Sequence, residues 1–95
     1  MYFITQIEYN EKTGELINDC RGYFSSFEDA ENVVINNITD LYESCFNYVV
    51  IENIPEGLYK TDLNPHWYKY NSETDKYDKT TEPKFANNYY GFALG

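Results

Sequence analysis

The apolar and polar positions of this chain predict several short strands and one helix. Residues 2–9 read YFITQIEY, a run rich in β-branched and aromatic side chains. Alternation puts Phe3, Thr5, Ile7 and Tyr9 on one face of a strand. Asn10 to Gly14 form a turn, with Gly14 able to take φ > 0. A second strand follows from residue 15 to 23 or 24, so the first two strands make a hairpin. Leu16-Ile17 opens this strand with apolar density, and Asn18, Asp19 and Arg21 direct part of it toward water.

The pattern then changes period. Ser25-Ser26-Phe27-Glu28 matches a capping box with Ser25 as N-cap and Glu28 at N3. Glu28, Asp29 and Glu31 crowd the first turns, where the helix dipole favours acids. Phe27, Ala30, Val34 and Leu41, with Ile38 beside them, form one apolar stripe. The predicted helix covers about residues 26–43, unless Asn36-Asn37 bends or ends it. β-Branched Val33, Val34 and Ile35 lower its intrinsic propensity, so packing on a sheet must compensate.

Residues 46–54 (FNYVVIENI) are the most apolar strand and the candidate for the centre of the sheet. Pro55-Glu56-Gly57 closes it as a turn. Leu58-Tyr59 continues briefly. After Pro65, residues 66–71 alternate, with Trp67 and Lys69 on one side and His66, Tyr68 and Tyr70 on the other. A hairpin loop at 72–76 leads to an edge strand at 77–80, where charged residues discourage aggregation. Residues 83–88 suit a short helix or loop, and 89–94 read as a last strand. The expected fold is α+β, one domain over residues 1–95. A single mixed or antiparallel sheet of five to six strands carries the main helix on one face.

Charge narrows the partners. Sixteen acids stand against seven bases, net −9. Residues 1–47 hold nine acids and two bases (−7), and residues 48–95 hold seven and five (−2). Nucleic-acid affinity rests largely on Lys and Arg neutralising phosphates, so direct nucleic-acid binding is not expected. The acids are scattered, which fits a solvated surface better than a mimic of DNA. No apolar run approaches the length of a membrane span. Met1 leads directly into Tyr2-Phe3-Ile4 with Glu8 and Glu11 close behind, unlike a secretory leader. A cytoplasmic setting is therefore expected, with Cys20 and Cys45 as buried thiols and not a disulfide. Their spacing and the single His make a metal site unexpected.

Catalytic signals are absent. His66 would need a nucleophile and an orienting carboxylate, and nothing marks that set. The five glycines form no phosphate-cradling loop. Neither catalytic nor cofactor-binding residues are expected. The candidate binding residues are aromatic: Tyr59, His66, Trp67, Tyr68 and Tyr70, with Tyr89 and Tyr90 returning beside them. Their alternative role is packing across the sheet. As a recognition surface they point to a protein partner or a homodimer. A small nucleotide stacked on these rings is the second option, with Arg21, Lys60 and Lys69 as its charge partners.

The segments RGYFSSFEDA (21–30), YVVIENIPEGLY (48–59), WYKY (67–70) and GFALG (91–95) give the chain a resemblance to a family of small proteins. These come from Firmicutes genomes, their phages and mobile elements. The likeness is one of pattern along nearly the full length, with no established activity to transfer. It implies a small acidic protein that modulates a host protein, or a sponge for a nucleotide signal.

Overall fold

A computed structural model describes residues 1–38, 46–55, 64–88 and 91–93, with nothing to be said of the side chains at 87 and 88. Its elements are β1 (Tyr2–Tyr9), β2 (Leu16–Phe24), α1 (Phe27–Ile35), β3 (Tyr48–Asn53), β4 (His66–Asn71), β5 (Lys76–Thr80) and a 3-10 helix at Lys84–Asn88. The strands form one five-stranded sheet in the order β2-β1-β3-β4-β5. Every neighbouring pair is antiparallel. The fold is thus α+β, with β3 in the middle as its apolar run predicts.

The β1–β2 hairpin turns where expected. Gly14 has φ 74°, and its N–H donates to the Asn10 carbonyl while Asn10 N–H donates to the Glu15 carbonyl. The Asn10 side chain also accepts from Lys12 N–H at 2.9 Å. A register break between Ile4 and Thr5 leaves Arg21 as an extra residue in β2. Gly22 follows at φ 150°, so the bulge rests on a conformation that L side chains rarely adopt.

Two details of the helix differ from expectation. The N-cap is Ser26, not Ser25: its extended backbone (φ −111°, ψ 131°) and its Oγ, which accepts from Asp29 N–H, define the start. The acid at the third helical position is therefore Asp29. The C-terminus falls at Ile35, well short of 43. Asn37 takes φ 49°, its N–H donates to Val34, and Ile38 N–H donates to Val33. That is a Schellman closure, with Asn supplying the left-handed residue. Ile38 is exposed, off the buried stripe. Residues 39–43, including Leu41, lie outside the described residues.

Both faces of the sheet are covered. On the front, α1 lays Ala30 and Val34 onto Ile4, Val49, Ile51, Tyr68 and Tyr77. The sequence pattern assigned only the main helix to a face, and the back is covered as well. There the 3-10 helix and the segment 91–93 place Phe85, Ala86 and Phe92 over Ile7, Val50 and Trp67. Residues 91–93 form a bend and not a strand, while 89, 90 and 94 lie outside the described residues. The back-face core is aromatic, and its rings meet edge to face: Trp67 with Phe85 at 5.8 Å and with Phe92 at 5.3 Å.

Candidate functional site

The alternation in β4 divides the aromatic set between the two faces. His66, Tyr68 and Tyr70 face α1, and Trp67 faces the back. Tyr68 is fully buried, and its hydroxyl donates to Glu31 at 2.6 Å. Burial, and then the bond to the Glu31 carboxylate, push its ionisation far above the ordinary tyrosine range. Trp67 is buried in the back core, and its Nε1 has no hydrogen-bond partner among the described residues. His66 is half-buried with its ring 4.5 Å from that of Phe27. Burial, then the charge of Lys79, lower its pKa. Tyr70 lies at the margin of the front core and donates to Asp75 at 2.5 Å. The four residues do not converge on one surface. Tyr59, Tyr89, Tyr90 and Lys60 lie outside the described residues.

Among the described residues, the longer open edge of the sheet is β2. Its side chains from Ile17 to Arg21 are exposed, although Cys20 was expected to be buried. Cys20 is a free, exposed thiol, not a buried one. Cys45 lies outside the described residues. Backbone groups in an antiparallel pair alternate between facing the partner strand and facing away. The Asn10–Glu15 bond faces inward, and register pairs Glu8 with Ile17 and Gln6 with Asp19. The N–H and C=O groups of Ile17 and Asp19 thus serve β1, and those of Leu16, Asn18 and Cys20 point outward. Tyr9 N–H donates away from β2, to Asn47 on the β3 side, which fits the same phase.

Side chains flank this edge on both faces. Ile17 is 46% exposed on the front and Tyr23 58% exposed on the back. Tyr23 pairs with Phe3 at a ring distance of 5.2 Å. Asp19 and Arg21 approach to 3.4 Å, both well exposed, and such a pair contributes little to stability. The opposite edge, β5, is shorter and carries Lys76, Asp78 and Lys79. That composition discourages pairing.

Two further features surround the sheet. A cleft of about 650 Å³ at the hairpin end is lined by Glu8, Glu11, Glu15, Lys12, Tyr48 and Lys69, among others. The Lys69 ammonium sits 5.8 Å from the centre of the Tyr48 ring. On the back face Glu52 is almost fully buried. Its carboxylate accepts from Phe92 N–H at 3.1 Å and Ala93 N–H at 3.0 Å. Desolvation raises its pKa, and the two N–H groups pull the other way. Asn18 adds a bond from its Nδ2 to the Phe92 carbonyl at 3.1 Å. The segment 91–93 is therefore tied to β2 and β3 by polar contacts beneath an aromatic one.

Sequence reasoning missed both β2 and Glu52 as points of interest. For Glu52 a signal existed: a lone carboxylate inside the most apolar strand. For β2 the polar run from Asn18 to Arg21 had read as a strand facing water, and its openness as an edge depends on strand order. Among the described residues no cluster of three His, Cys, Asp or Glu side chains is placed to hold a metal ion, and no helix is long and apolar enough to cross a membrane. In comparisons with known proteins, no family model, curated protein or solved structure matches the chain.

Proposed function

We propose that this chain is a non-enzymatic, cytoplasmic protein-binding domain whose partner adds a strand to the open edge of β2. The observation that carries the reading is the run of outward backbone groups at Leu16, Asn18 and Cys20. It lies on a strand whose neighbouring side chains are exposed. Strand addition uses such groups for affinity and flanking side chains for specificity. Ile17 and Tyr23 are the flanking apolar contacts here. The net charge of −9 favours a partner strand with basic flanks and repels acidic ones. The partner strand comes from another protein or from a second copy of this chain.

Asn18→Pro tests this directly. The Asn18 N–H points away from β1, so proline removes an edge donor without breaking the β1–β2 ladder; Asn18→Ala, which loses only the side-chain bond to the Phe92 carbonyl, is the control and should still capture the partner. The expected result for Asn18→Pro is a folded variant, by circular dichroism, that no longer retains a protein which the wild type captures stoichiometrically. Equal capture by both would place the binding surface elsewhere.

A small-ligand reading comes second and rests on the cleft beside Tyr48 and Lys69. Its volume suits a ligand of nucleotide size. Three glutamates against two lysines in its lining oppose a phosphate-bearing one.

A further inference from the structure

The partner that the β2 edge fits best in register and in its local charge pairs is a second copy of the same edge, although two chains of net −9 repel each other overall. We infer that two chains pair antiparallel through β2 about a twofold axis at Asn18, joining two five-stranded sheets into one of ten strands. This rests on the proposal that β2 is the binding edge, and it names the partner.

Backbone phase restricts the registers. Only Leu16, Asn18 and Cys20 present outward groups before the bulge at Arg21, so a bonded pair must join two of these. Centring the axis at Ile17 bonds Leu16 to Asn18 but sets Asp19 opposite Glu15 of the second copy. Centring it at Asp19 sets the two Asp19 carboxylates opposite each other. Like charges directly across a strand pair are destabilising. An axis at Leu16 runs into the hairpin turn at Gly14, and one at Cys20 runs into the bulge within two residues. The axis at Asn18 avoids all four problems. Asn18 bonds to its own counterpart, Leu16 bonds to Cys20 at both ends, and Ile17 faces Asp19.

Local charge pairs add to the match, against the overall repulsion. Just outside this regular stretch, Glu15 of one copy meets Arg21 of the other, twice by symmetry. Among the described residues of the single chain, the guanidinium has only the loose contact with Asp19 at 3.4 Å on exposed surface. A dimer built on short edge strands buries little area and is of the weak, concentration-dependent kind. The bulge ends the pairing at Arg21 and thereby prevents a longer run of strand-to-strand association.

Sedimentation equilibrium of the full chain, over low micromolar to near-millimolar concentration, tests the inference. The wild type is expected to pass from 11.2 kDa to twice that mass. Arg21→Glu and Glu15→Arg should each weaken the dimer about tenfold or more, since two attractive pairs become repulsive. The double variant, Glu15→Arg with Arg21→Glu, should restore wild-type dimerisation. Circular dichroism reports whether each variant is folded. Amide exchange on the wild type adds a readout without mutation: protection of Asn18 N–H should rise with protein concentration. A wild type that is monomeric throughout overturns the inference, as does a dimer indifferent to charge reversal or a double variant that fails to recover. Loss of a foreign partner on Asn18→Pro, in a chain that stays monomeric, would sink the second copy and leave the binding edge standing.

Discussion

Glu52 shows how one residue can set a pH response. Its carboxyl is buried against the back face, and desolvation outweighs the two N–H donors that favour its charge. A carboxyl whose pKa is raised by folding stabilises the fold fully below its unfolded value. That contribution is lost as pH rises through the folded value. Glu52→Gln keeps an oxygen to accept from Phe92 and Ala93 but cannot ionise. The stability of the wild type minus that of Glu52→Gln should therefore fall as pH climbs from about the ordinary 4.5. Urea denaturation of both proteins between pH 4 and 8 measures it, and a flat or rising difference would show that burial does not dominate. At the same scale, Tyr68 illustrates the legible part. Its place on one face of an alternating strand was readable. That this face is sealed, and that Glu31 receives its hydroxyl, required α1 to be in position.

At the scale of elements, the helix depends on its ends as much as on its stripe. Ser26 starts it, and Asn37 stops it in the left-handed region. Asn tolerates that conformation far better than a residue with an ordinary side chain, and Gly better still. Asn37 Nδ2 also donates to the Asp75 carbonyl at 3.2 Å, joining the helix end to the β4–β5 loop. Replacing Asn37 by Gly or by Ala removes this bond equally, so the difference between the two variants isolates backbone strain. Thermal melts should find Asn37→Ala less stable than Asn37→Gly by about 1 kcal/mol. The helix start was legible to within one residue, because Ser25 and Ser26 both suit a cap. The end was ambiguous, since Ile38 and Leu41 continued the apolar spacing past the asparagines. The backbone turned at Asn37 because closure with Val33 and Val34 satisfies the terminal carbonyls there.

Across the whole molecule, the sheet is a central layer with an aliphatic and aromatic core in front and an aromatic one behind. Trp67, the single tryptophan, reports on the back. Phe92 packs on it edge to face, so Phe92→Ala should uncover part of the indole and remove buried apolar contact. The expected result is a red shift of native-state emission and a loss of about 3 kcal/mol or more, as for other buried Phe→Ala changes. Unchanged emission would mean that other groups shield Trp67. The same layering leaves β2 at one margin, with its backbone open and its side chains exposed. The openness of this edge is thus a property of strand order and coverage, as local composition in β2 does not distinguish an edge from an interior strand that faces water.

Strand and helix periods, turn residues and the alternating faces of β1 and β4 follow from local covalent geometry, so the sequence alone determined the α+β class and the central place of the 46–54 run. The order of the other strands, the second covering layer and the burial of Trp67 and Tyr68 beneath the two layers were decided by the tertiary structure. Those features depend on contacts between residues distant along the chain, such as Phe92 with Trp67 and Glu52, whose free energy no local pattern encodes.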